Sequence, residues 1–293
     1  MMFLPSKLTT FRESSMRLTH LLPIVLLAVA ACHDNGVSVN ARPPLGGVRF
    51  INAVPDGGPV DIRMIDQVEW SASSASGSAN CCGLTFRAGT ISWPTEAKAR
   101  HIRVFPSDSS IAITSQILLD TTITIEANKN VTLMLVGSQA TGGKVSFVTI
   151  SDDVAPTATQ VAVRLVNASS TGQVPANASG YITATTSTAL PATADFATVA
   201  PRSASPYLMR ATGSFAIRTT PVGDNTTIWS IAAPDGAAAS GLIGVTAGAL
   251  GPGSGLSAYL FPRSVAGTKA PQTTLFLTPG IVFFVDLIPA PPK

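Results

Sequence analysis

The sequence predicts an all-β protein: two β-sandwich domains in tandem behind an export signal. Three observations predict it. Charged residues are only 12% of the 293-residue chain, while hydrophobic residues are 45%. Gly and Pro number 24 and 22, which suits short strands joined by turns. A weak repeat recurs 115 residues on, from position 48 to position 163. After the first thirty residues no stretch carries the 3.6-residue apolar period of a long helix.

The chain opens on residues 17–32, RLTHLLPIVLLAVAAC. Arg17 precedes an apolar run from Leu21, and small residues lead to Cys32. The run is long enough for the core of a signal peptide and too short to span a bilayer stably. Either Met1 or Met16 can serve as its start. Val29-Ala30-Ala31-Cys32 resembles the lipobox of bacterial lipoproteins. That resemblance implies cleavage of 1–31, lipid on Cys32, and membrane attachment through that lipid. His33 follows the cysteine where an aspartate would favour the inner membrane, so the expectation is a lipid-anchored envelope protein of the outer membrane. Residues 32–46, with Pro43-Pro44 and Gly46-Gly47 at or near their end, read as a lipidated tether.

The formal net charge is +3. Cleavage removes Lys7, Arg12, Arg17 and Glu13, which leaves a nearly neutral mature chain. Such a chain has no global positive field, and no nucleic-acid partner is expected. The run Lys98, Arg100, His101, Arg103 reads as the solvated face of a strand.

The repeat then places the elements. Val48-Arg49-Phe50-Ile51-Asn52-Ala53 matches Val163-Arg164-Leu165-Val166-Asn167-Ala168, and Ile102-Arg103 and Pro106 match Ile217-Arg218 and Pro221 at the same spacing. In the first unit the strands are predicted at Val48–Ala53, Val60–Ile65, His101–Phe105, Ile111–Leu118, Thr122–Glu126, Val131–Val136 and Val145–Ile150. Pro55-Asp56-Gly57-Gly58 is the first turn. Ser151–Gln160 is the expected linker. The second unit is predicted to form strands at Val161–Asn167, Tyr181–Thr185, Tyr207–Arg210, Ser214–Thr220, Thr226–Ala232 and Ile281–Leu287. Between Asp235 and Arg263 the uncharged, glycine-rich stretch reads as two short strands, Leu242–Thr246 and Leu256–Phe261, and not as a membrane span. Residues 47–151 and 160–290 are the two expected domains.

VRFINAVPDGGPVDIRMI and the junction TISDDVAPTATQVAVRLVNAS resemble the DUF4397 family, a domain of unknown function found in tandem in bacterial envelope proteins. PYLMRATGSFAIRTTPVG, FPRSVAGTKAPQT and IVFFVDLIPAPP in the second unit resemble it too. The resemblance implies Ig-like sandwiches with no established activity. Between Glu69 and Pro94 the first unit departs from the pattern, where SASSASGSANCCG interrupts it.

Candidate chemistry is sparse. His101 is the one plausible catalytic base after cleavage, and no nucleophile-elbow pattern accompanies it. Catalytic residues are therefore expected to be none, and the chain is not expected to be an enzyme. Asp56 and Asp61 flank a glycine turn, and Asp152-Asp153 falls at the domain junction; both pairs read as turn and cap chemistry ahead of calcium ligands. No metal and no cofactor is expected. Cys81 and Cys82 are the only thiols left once Cys32 is lipidated. Adjacent Cα atoms stand ~3.8 Å apart, below the usual disulfide span, so a bridge between them would be strained. The pair reads as a structural bridge, as one bridge to another molecule, or as two buried thiols. Ser71–Asn80 before it reads as a loop peripheral to the fold. Trp70, Trp93 and Trp229 read as core residues. The functional expectation is a non-enzymatic envelope lipoprotein with a structural or interaction role. A surface module binding glycan or peptide is the second reading, with an envelope protein or a glycan as partner. An envelope hydrolase is the third.

Overall fold

The computed structural model describes residues 43–66, 81–170, 172–237 and 246–289. The signal, Cys32, most of the tether, Trp70 and the Ser71–Asn80 stretch lie outside them, as does most of Leu242–Thr246. Strand β1 (Leu45–Asn52) already begins at Leu45. The tether expected over 32–46 therefore ends earlier, because the backbone at Leu45 and Gly46 is taken up by pairing with Glu96 and Thr95.

Almost all of the regular secondary structure in the described residues is strand. The first sandwich consists of β1, β2 (Val60–Met64), β3 (Cys81–Leu84), β4 (Trp93–Glu96), β5 (Ala99–Pro106), β6 (Leu119–Thr124), β7 (Asn130–Gly137) and β8 (Val145–Ser151). One sheet runs β4-β1-β7-β8 and the other β3-β2-β5-β6. The second sandwich consists of β9 (Gln160–Asn167), β10 (Ala178–Thr183), β11 (Phe196–Val199), β12 (Ser203–Ala204), β13 (Leu208–Ala211), β14 (Ala216–Pro221), β15 (Trp229–Ala232), β16 (Gly255–Phe261) and β17 (Gly280–Leu287). Its sheets run β12-β9-β16-β17, with β13 also on β9, and β11-β10-β14-β15. The two orders correspond, with β13 in the place of β4 (Leu208 opposite Val163, Trp93 opposite Val48), while β12 is matched in the first sandwich only by the isolated bridge of Ile51 with Gly89. β1 pairs in parallel with β7 (Val48 opposite Val131), as β9 does with β16 (Val163 opposite Leu256). Arg49 and Arg164 thus hold the same place in their sheets.

Periodicity explains why there are three cores. In a strand, alternate residues face opposite sides. Val48, Phe50, Leu133 and Leu135 point into the first sandwich, with Ile62, Ile102 and Val104 facing them. Val163, Leu165, Leu256, Ala258 and Leu260 do the same in the second. The intervening residues meet each other. Ile51, Ala53, Met134, Val136 and Ile150 from the first sandwich pack on Val166, Ala168, Tyr259 and Phe261 from the second. The β1 and β9 sheets are therefore buried on both faces, which is why VRFINAV and VAVRLVNA lack a polar alternation. Residues 43–293 form one compact unit. Gly89 marks how closely the sandwiches approach: a Cβ there would stand 2.5 Å from the Phe284 ring.

Several expected elements change. Ile111–Leu118 is not a strand: a single helical turn, α1 (Ile111–Thr114), occupies it, with no buried residue. Its apolar side chains have no sheet face to cover, and Ile111 is fully out in solvent at 84% exposure. The stretch bearing Cys81 and Cys82 does not remain outside the fold, since both belong to edge strand β3, with Cys81 opposite Ile62. The basic run is not uniformly solvated. Arg100 is buried and lies 3.5 Å from both Asp66 and Glu96.

Candidate functional site

The buried polar chemistry collects between the sandwiches. Arg49 and Arg164 stand on the inner face of β1 and β9, and Asp152 and Asp286 at the ends of β8 and β17. All four are buried. Arg49 donates from Nε to Thr132 Oγ1 at 2.9 Å, then reaches across to Asp286 Oδ1 at 2.6 Å and the Val285 carbonyl at 3.0 Å. Arg164 repeats the pattern. It donates from Nε to Ser257 Oγ at 2.6 Å, then crosses to Asp152 Oδ1 at 2.5 Å and the Ser151 carbonyl at 2.6 Å. Each hydroxyl in turn donates to its own sandwich's carboxylate: Thr132 to Asp152 at 2.6 Å and Ser257 to Asp286 at 2.5 Å. The contact is reciprocal, as in an isologous dimer interface. Two departures break the symmetry: Arg49 meets Asp152 at 3.2 Å where Arg164 stays 4.0 Å from Asp286, and Tyr207 Oη donates to Asp286 at 2.8 Å.

Electrostatics follow the burial. Burial pushes the Asp152 carboxyl up and Asp286 adds to it, against Arg49 and Arg164, which pull it down. For Arg49 burial disfavours the charge, but Tyr259, Asp152 and Asp286 outweigh it and the guanidinium is held more firmly protonated. Two cations and two anions so arranged can lock two surfaces together. With the lone pairs of both carboxylates engaged by guanidinium and hydroxyl donors, Asp152 serves as an anion for arginine and not as a calcium ligand.

A second duplicated device sits at the opposite ends of β1 and β9. Asn52 Nδ2 donates to the Leu84 carbonyl at 2.9 Å while its Oδ1 accepts from Val54 N at 3.0 Å. Asn167 does the same with Val199 at 3.1 Å and Ser169 N at 3.1 Å. The backbone N–H of Arg87 then donates to the Asn52 carbonyl, and that of Arg202 to the Asn167 carbonyl. Both arginines have φ near +60° (65° and 60°), so the turn is the same in each unit.

Residues 46–177 match the family model described as "Domain of unknown function (DUF4397)". This chain carries a DUF4397-like domain. No curated protein matches the chain. The DUF4397 match overruns the first sandwich and takes in β9, so it includes Arg49, Thr132, Asp152 and Arg164 but ends before Ser257 and Asp286.

The other residues singled out in the sequence are dispersed over or beside the DUF4397-like domain. His101 Nε2 meets Asp120, and Arg103 Nε donates to the same carboxylate at 2.7 Å. This trio lies on the solvent side of β5 and β6. Asp56 accepts from Ser138 Oγ and Gln139 N, on the loop after β7, and Asp61, inside β2, accepts from Gly83 N on β3; both contacts are long-range and differ from the local turn and cap bonds expected. Among the described residues no group of three or more His, Cys, Asp or Glu could hold a metal ion. Trp93 is buried in the first core, and Trp229 packs half-buried against the second. The ion cluster itself was missed by the sequence reading, although its signal was present: an arginine repeated inside an otherwise apolar strand.

Asp153 provides a pH test beside the cluster. It accepts from Asn130 N at 2.9 Å and pairs with Lys129 at 3.1 Å. Burial is the largest single influence and raises it, but the bonds from Asn130, Lys129 and Ser151 together prevail and hold it below the ordinary carboxylate range. Stability from a depressed carboxylate is present above the unfolded value of about 4 and is lost as pH falls below it. Asp153→Asn is expected to flatten the fall in melting temperature between neutral and strongly acid pH by a small amount. An unchanged slope would deny Asp153 this role.

Proposed function

We propose that this chain is a non-enzymatic lipoprotein of the bacterial envelope, held by lipid on Cys32, with the two sandwiches as a stiff structural or interaction body. The observation that carries the reading is the sequence RLTHLLPIVLLAVAAC, with cysteine where a lipobox requires it. The reciprocal Arg–Asp cluster supports the second half of the proposal, since its charges join one sandwich to the other. No helix among the described residues is long and apolar enough to cross a membrane. A single acyl chain holds weakly, at ~0.8 kcal/mol per buried CH₂, and the two or three chains of a lipobox cysteine give a stable anchor. The second unit repeats the strand order of the DUF4397-like domain, and we read it as a second copy.

Expression of Cys32→Ser tests the anchor. The wild-type chain should incorporate labelled palmitate and sediment with membranes. The variant should carry no acyl label and leave the membrane fraction or stay uncut. A variant that still carries lipid overturns the lipoprotein reading. The runner-up, a surface module that binds peptide, draws on one further observation, the cleft described next.

A further inference from the structure

A cleft of about 660 Å³ opens between the edge of the second sandwich and the corner of the first. It is bordered by four consecutive residues, Ile228–Ile231, and by Gly280, Ile281 and Val282. The face of a strand presents only alternate residues. Consecutive lining residues mean that the strands turn their edges to the cleft. Both β15 and β17 are edge strands, each paired on one side only. The mouth of the second core, with Trp229 and Ile231, lies between them.

Arg87 closes the end contributed by the first sandwich. It is 8% exposed. Its guanidinium donates to the carbonyls of Leu275 at 3.0 Å, Pro262 at 2.7 Å and Thr278 at 2.5 Å. It also donates to the Phe276 carbonyl at 3.4 Å, and its Nε is buried without a partner. Among the described residues it has no carboxylate partner, whereas buried Arg49 and Arg164 each have one. Burial alone pulls it down to about 10. Arg202, at the matching corner of the second unit, is exposed. Arg87 is thus a buried cation whose described partners are carbonyls and the rings of Phe86 and Phe276, at 5.1 and 5.2 Å.

We propose that this cleft binds the C-terminal end of an extended peptide. Its main chain adds to the edge of β15 or β17, apolar side chains enter the mouth of the second sandwich, and the terminal carboxylate meets Arg87. A lipid carboxylate would satisfy the charge but would cover the outer N–H and C=O groups of the edge strands without pairing them. The proposal deepens the interaction reading and rests on it. It does not require the anchor, so failure here leaves the Cys32 result standing, and the reverse holds too.

The test is fluorescence anisotropy with the full chain in detergent. The probes are a labelled pentapeptide of alternating valine and threonine with a free C-terminus, its amidated twin, and dodecanoate as competitor. The free acid should bind at least about ten-fold more tightly than the amide. Arg87→Gln should bring the two to one affinity. Leu275 is an exposed lining residue, so Leu275→Glu tests the charge without disturbing a core: it should weaken the acid more than the amide. Equal binding of acid and amide, or binding of neither, overturns the proposal. Dodecanoate binding as tightly as the peptide overturns the peptide assignment and puts a lipid carboxylate in its place.

Discussion

Replacing Arg49 with methionine destabilises the protein by about 3–5 kcal/mol in urea denaturation, because Asp286 keeps its burial and loses its hydrogen-bonded cation, with only Arg164 left at 4.0 Å. A smaller loss is expected for Arg164→Met, because Asp152 loses its 2.5 Å partner but keeps Arg49 at 3.2 Å. The reciprocal geometry makes the account specific. Arg49 reaches Asp286 at 2.6 Å and Arg164 reaches Asp152 at 2.5 Å, so each arginine answers to the carboxylate of the other sandwich. Combining Arg49→Met with Asp286→Leu should therefore destabilise by much less than the sum of the single changes, because no buried charge on that side is left alone. Additive single effects would mean that the pair does not interact, and the cluster would then be a by-product of the apolar packing around it.

Asn52→Ala is expected to have the next largest effect. Its side chain pairs the Leu84 carbonyl and the Val54 N–H, both inside the first sandwich. Alanine leaves the two backbone groups unpaired, at about 1–3 kcal/mol each. Asn167→Ala should lose a similar amount through Val199 and Ser169. Chemical denaturation measures both. A loss within a few tenths of a kcal/mol at either site would show that water replaces the side chain, which burial at that position argues against.

Much of the strand layout was legible from β-type composition, turns and the repeat. β1, β9, β16 and β17 fall close to where apolar runs bounded by turns predicted them. The repeated Ile102 and Ile217 hold matching places, opposite Met64 and Ile182 in their sheets. The failures have physical causes. Ile111–Leu118 is apolar enough for a strand, but the sheet next to it already ends at β6, so Ile111 and Ile117 stay outside and only Leu118, bonded to Val104, packs on the core. Strand β3 went unseen because pairing on the edge of β2 organises Cys81–Leu84, and a Cys-Cys-Gly sequence carries no period. Asp152 looked like a linker residue, since charge next to proline usually marks a surface loop. Its partners on other strands, Thr132, Arg49 and Arg164, take it inside. Sequence periodicity reports that a strand has two apolar faces; it does not report which face meets another domain. For that reason Arg49 was visible as a repeat but not as an interface residue. The arrangement around Arg87 was illegible altogether, since it depends on residues 175 to 191 positions further along the chain.

The two sandwiches form one body through their shared core and the Arg–Asp cluster. Differential scanning calorimetry of the wild-type chain tests it most directly. The account predicts one transition, with a ratio of calorimetric to van't Hoff enthalpy of roughly one. Two resolved transitions, with residues 43–151 melting independently of the second sandwich, would contradict it.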